Sequence, residues 1–85
     1  MHSYFKIKNN NDFDVYVQRP GHPALEVLLS SGKTQLYGSY GGYDVYDKTS
    51  SDKKFFFVSF KPDGIHTDTT SSDLVGDFEL TQLMA

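Results

Sequence analysis

Apolar side chains recur at every second position of this chain in runs too short for a helix of ordinary length. Phe5 and Ile7 alternate with Tyr4, Lys6 and Lys8, and after a polar stretch Phe13, Val15 and Val17 alternate with Asp14, Tyr16 and Gln18. Successive side chains of an extended strand point to opposite faces, so this period predicts half-buried strands with one apolar and one wet face. Between the two runs, residues 9–12 carry short polar side chains that accept left-handed backbone conformations. That chemistry predicts a β-hairpin joining the first strand to the second.

Pro20, Gly21 and Pro23 stop the second run, because proline has no N–H to give to a sheet ladder. Segment 24–30 fits two patterns: Leu25, Val27 and Leu29 alternate, while Leu25, Leu28 and Leu29 fit a helical stripe begun at Pro23. Its shortness favours a strand. Further strands are expected at 34–37 and 43–46, the latter from its aromatic and branched residues. Phe55, Phe56, Phe57, Val58 and Phe60 are apolar on both faces, which predicts a central strand with Phe56, Val58 and Phe60 turned inward. Pro62, Asp63 and Gly64 form a turn, residues 67–73 read as an exposed Thr/Ser/Asp loop, and Phe78 and Leu80 mark a last strand.

Seven short strands separated by turn chemistry predict an all-β fold, a small antiparallel β-sandwich or barrel. The 85 residues form a single domain, 1–85, since chains usually divide only beyond roughly 250 residues. In so small a core the seven Phe and six Tyr side chains carry much of the burial.

Composition narrows the function. A net charge of −3 with scattered basic residues argues against nucleic acid, and Lys53, Lys54 and Lys61 read as protection of a strand edge. Cysteine is absent, which removes disulfides and thiolate metal sites and favours the cytoplasm while leaving secretion open. The chain enters its alternating pattern directly after His2 and Ser3, so neither a signal peptide nor a membrane span is expected.

Catalytic patterns are missing. There is no Gly-x-Ser-x-Gly elbow, and His2, His22 and His66 stand far apart. His66 and Asp68 would share one face of a strand, yet two ligands make a weak site. Asp63, Asp68 and Asp73 lack the ordered run of a calcium loop, and Asn9, Asn11, Asp12 and Asp14 read as an ordinary solvated loop. No catalytic residue, metal or cofactor is expected.

The segment that invites a functional reading holds Tyr37, Tyr40, Tyr43 and Tyr46 around Gly38, Ser39, Gly41 and Gly42, with Asp44 and Asp47 beside them. Tyrosine offers a flat ring and a hydroxyl at low ordering cost, which suits it to gripping a partner. A spacing of three alternates faces in a strand, so the rings converge only where glycines bend the chain. Otherwise they are half-buried sheet residues. The expected function is a non-catalytic binding or assembly module, an accessory or inhibitory factor that contacts a protein or forms a homo-oligomer through these six Tyr and Asp side chains. A lectin-like, glycan-binding module using segment 37–47 is the alternative, followed by a small hydrolase.

Overall fold

Alternation in the sequence becomes strands, but fewer than half of the consecutive strands pair with each other. The protein is represented by a computed structural model, which describes residues 3–38, 41–47, 50–61, 63–68 and 76–84. The strands are β1 (Ser3–Asn9), β2 (Val15–Gln18), β3 (Val27–Leu29), β4 (Thr34–Gly38), β5 (Gly42–Asp47), β6 (Ser50–Lys61), β7 (Gly64–Asp68) and β8 (Phe78–Met84). They form two antiparallel sheets, ordered β4-β1-β8 and β3-β2-β5-β6-β7, packed as a sandwich and not closed into a barrel. Among the described residues no helix is long and apolar enough to cross a membrane.

The expected hairpin between the first two strands is not formed. β1 pairs with β4 and β8, whereas β2 pairs with β3 and β5 in the other sheet. Both runs turn apolar faces to the same core, Phe5 and Ile7 from one side and Val15 and Val17 from the other, so alternation alone cannot tell a hairpin from a crossing. The turn also uses no left-handed residue, as every positive φ among the described residues belongs to a glycine.

A buried amide makes this crossing possible. Phe5, Ile7 and Asn9 point inward in succession, and Asn9 is fully buried. Its Nδ2 donates to the carbonyls of Phe13 (2.8 Å) and Leu29 (3.1 Å), and its Oδ1 accepts from the backbone N–H (3.0 Å) and Nδ2 (2.8 Å) of Asn11. Two donors and two lone pairs are thereby all used, the condition under which a buried amide is tolerated. The Asn9 main chain donates to Lys33 O and accepts from Gly32 N–H, holding the β3–β4 turn, where Gly32 has φ 77°. Asn11 extends the network to β8: its Oδ1 accepts from the Asp77 N–H (2.8 Å) and its Nδ2 donates to Asp77 O (3.2 Å).

Segment 24–30 contains both expected structures in series, a 3₁₀ turn at Pro23–Leu25 followed by β3. The fold has one strand more than expected, because residues 64–68 pair with β6 through a tight reversal in which Lys61 faces Gly64 (φ 132°). The expectation of a loop at 67–73 is corrected for Thr67 and Asp68; residues 69–73 lie outside the described residues.

β6 explains the doubly apolar Phe run. The register steps from Val45 opposite Phe56 to Tyr46 opposite Lys54, leaving Phe55 as the extra residue of a β-bulge. Two neighbours can then face inward: Phe55 stacks on Phe13 (5.6 Å between ring centroids), while Phe56 meets Phe78 edge-on (5.1 Å). Val58 is buried as expected and Phe60 partly so, while Phe57 is half-buried opposite Asp44. Phe55→Ala and Phe56→Ala are each expected to cost about 3 to 5 kcal/mol in urea unfolding, and Phe57→Ala distinctly less. Equal losses at Phe55 and Phe57 would contradict the bulge.

Asn9→Ala is expected to cost about 2 to 4 kcal/mol, because it strands buried carbonyls, whereas Asn10→Ala on the exposed side should stay within about 0.5 kcal/mol. Asn9→Asp should be no milder than Asn9→Ala, since a carboxylate offers two backbone carbonyls no donor. Urea midpoints check both statements, and a harmless Asn9→Asp would show that the amide is not the tie described.

Candidate functional site

The tyrosines of the segment 37–47 are divided between the inside and the outside of the sandwich. Tyr37 is buried between the sheets, with its ring stacked on Phe5 (5.6 Å, 29°) and inclined to Tyr43 (5.0 Å). Tyr43 is half-buried, meets Phe5 edge-on and hydrogen-bonds Gly38 O through its hydroxyl (3.2 Å). Tyr46 lies opposite Tyr16 on the other face of its sheet, with the rings 5.8 Å apart. Its hydroxyl hydrogen-bonds Gln18 Oε1 (2.9 Å) and the Glu26 carboxylate. Tyr40 lies outside the described residues.

The carboxylates are also engaged. Asp44 forms an ion pair with Lys54 (3.1 Å), and Asp47 stands opposite Val15 at the end of β5. The fold therefore brings Tyr37 and Tyr43 together in the interior, and it sets Tyr46, Asp44 and their partners on the outer side of the five-stranded sheet. All six predicted residues do not converge on one surface.

The Tyr37 hydroxyl is buried without a hydrogen-bond partner. Burial, reinforced by the neighbouring Tyr43 phenol, pushes its pKa up well beyond the ordinary tyrosine range. Its ring supports packing, while its hydroxyl costs desolvation.

Two outer features escaped the sequence reading. The first is the segment leading into β3, where Leu25 (54% exposed), Val27 and Leu28 (50%) stand in the open at a sheet edge. Tyr46 shapes this edge from below, because its bond to Glu26 fixes the residue between the 3₁₀ turn and the strand. The alternation of Leu25, Val27 and Leu29 suggested burial, but only Leu29 is covered.

The second feature is an open groove of about 440 Å³ over β5, β6 and β7, lined by Arg19, Pro20, Gly41, Gly42, Phe57, Ser59, Lys61 and Asp68. The Phe57 ring lies across Gly42 so closely that a Cβ there would stand 2.2 Å from Phe57 Cζ and 2.8 Å from Val58 O. Only glycine leaves room for that ring. Its signal in the sequence was Phe57 itself, the odd member of an apolar run whose neighbours turn inward.

His66 and Asp68 share the outward face of β7, opposite Ser59 and Phe57. The contact His66 makes is with Asp63, from Nε2 to Oδ1 at 2.8 Å, across the β6–β7 reversal. That hydrogen bond holds the exposed Asp63 carboxyl below the usual carboxylate range. Among the described residues no group of three or more His, Cys, Asp or Glu side chains is placed to hold a metal ion. The chain matches no family model, no curated protein and no solved structure at a significant level.

Tyr37→Phe removes an unsatisfied buried hydroxyl and keeps the ring, so thermal unfolding should show unchanged or slightly raised stability, by about 0 to 1 kcal/mol. Gly42→Ala should lose about 1 to 3 kcal/mol, because the Val58 carbonyl belongs to the strand and cannot step aside as the Phe57 ring can. A costly Tyr37→Phe would mean that the hydroxyl has a partner, such as an ordered water, that stabilises the fold.

Proposed function

We propose that this domain is a non-catalytic assembly module that pairs with a second copy of itself along β3. The observation that carries the reading is the edge formed by Leu25, Val27 and Leu28, three of the four large hydrophobics that stand exposed among the described residues. Among the described residues β3 has a neighbour on one side only, which leaves its outward backbone groups to another strand. Edges meant to stay single carry charge or proline. β3 reads Val-Leu-Leu, and the adjacent Glu26 carboxylate is bound to Tyr46.

A two-fold axis through Leu28 places β3 antiparallel to its own copy, so the same apolar residues meet from both sides and the contact closes on itself. The pairing joins two five-stranded sheets edge to edge and covers Leu25 and Val27. The tyrosine segment contributes through Tyr46, which positions the edge by way of Glu26, while Tyr37 and Tyr43 serve the core.

Light scattering coupled to size exclusion tests this directly. The wild-type chain should elute as a dimer that dissociates on dilution, and Leu28→Lys should be a monomer with an unchanged melting temperature, since Leu28 has no core contact to lose. A wild-type monomer at every concentration, or a dimer that survives Leu28→Lys, would refute pairing through β3.

A further inference from the structure

We propose that the groove over Gly42 and Phe57 is a binding site for an acidic sugar residue, a hexuronate unit whose ring lies on Phe57 and whose carboxylate is held by Arg19 and Lys61. The site lies over β5, β6 and β7, with Arg19 and Pro20 reaching it from the turn after β2, and it includes none of Leu25, Val27 and Leu28. Its volume of about 440 Å³ falls within the range of small-ligand sites, and it combines one aromatic surface with a few polar groups.

Each lining group has a distinct task. Gly42 has no side chain, so the Phe57 ring rests on the strand and forms the floor. The negative face of such a ring attracts the weakly positive C–H groups on one side of a pyranose. Arg19 and Lys61 supply two positive charges against the single carboxylate of Asp68, leaving a local surplus that favours an anion in a protein whose net charge is negative. The guanidinium suits a carboxylate because its planar donors can engage both oxygens. Asp68 and Ser59 are left to accept hydrogen bonds from sugar hydroxyls, which an inorganic anion does not offer.

The neighbouring carboxylates are bonded mainly to other groups. Asp44 is paired with Lys54, and Asp63 is bonded to His66 while also lying within the field of Lys61, so Asp68 is the carboxylate that lines the groove itself. His66 and Lys54 face their own acidic partners, which leaves Arg19 and Lys61 as the cations at the groove wall.

The test is a titration of isotopically labelled protein with trigalacturonate, followed by amide chemical shifts, with uncharged maltotriose as the comparison. Saturable shifts confined to Arg19, Gly42, Ser59, Lys61 and Asp68 are expected, with a Kd of about 1 mM or tighter. Maltotriose should bind about tenfold more weakly or worse, as should trigalacturonate to the Arg19→Gln/Lys61→Gln double variant, because each loses charge-assisted hydrogen bonds. Phe57→Leu should weaken both ligands while keeping an apolar side chain over Gly42. Should that variant fold poorly, the double variant still decides the matter, as it changes only groove-wall side chains. Absence of saturable shifts, equal binding of the two sugars, or undiminished binding by the double variant would overturn the proposal.

Discussion

The buried amide of Asn9 is the tie on which this sandwich depends. Two sheets built from eight short strands require the chain to leave one sheet for the other after β1, β3, β4 and β7. Each crossing exposes backbone groups that no ladder satisfies, and in a domain this small they lie close to the core. Asn9 and its neighbours answer for three of them: the β1–β2 segment through Phe13 O, the β3–β4 turn through Leu29 O, Lys33 O and Gly32 N–H, and the entry to β8 through Asn10 and Asn11 to Asp77. Ser31 adds to the same cluster as a donor: its N–H donates to Asp14 Oδ1 and its hydroxyl to Asn11 O. An apolar residue at position 9 would extend the inward row of Phe5 and Ile7, but it would leave these carbonyls without donors.

With the crossings fixed at that end, the aromatic side chains fill the interior and leave two different outer surfaces. Phe13, Phe55, Phe56 and Phe78 pack near the bulge, and Phe5, Tyr37 and Tyr43 pack toward β4. The bulge shapes the outer surface as well as the packing. It turns Phe55 inward without turning Phe57 away from the outer face, so one side chain of the run is available as the floor of a groove. Tyr46 works in a similar way, with its ring on the outer face and its hydroxyl fixing the approach to the β3 edge. The proposed assembly at β3 and the proposed ligand binding over β5, β6 and β7 are thus compatible uses of one sheet.

Strand positions were legible in the sequence because alternation is local. Phe5 and Ile7, Val15 and Val17, and Phe78 and Leu80 all lie in the strands that their spacing predicted. Pairing was not legible, because Val15 can reach the same core from either sheet, and what selects the opposite sheet is a hydrogen bond from Asn9 to Leu29, twenty residues away. The site was less legible than the fold. Tyrosines at intervals of three marked a chemically versatile segment, yet whether a ring faces the core depends on strand phase and on a register shift at Val45 and Tyr46 that spacing does not encode. Phe57 and Lys61 share one face of β6, but Asp68 joins them only through pairing with β7, and Arg19, far away in sequence, only through the turn after β2.

Native-state hydrogen exchange measures the Asn9 tie most directly, because several amides of the network lie outside the strand ladders. If the tie orders the crossings, the N–H groups of Asn10, Asn11, Gly32 and Asp77 should open only with global unfolding, at free energies matching those of Val45 and Val58 in the core. Exchange of these amides at the rate of exposed turns, while Val45 and Val58 stay protected, would contradict the account and return residues 9–12 to the status of an ordinary solvated loop.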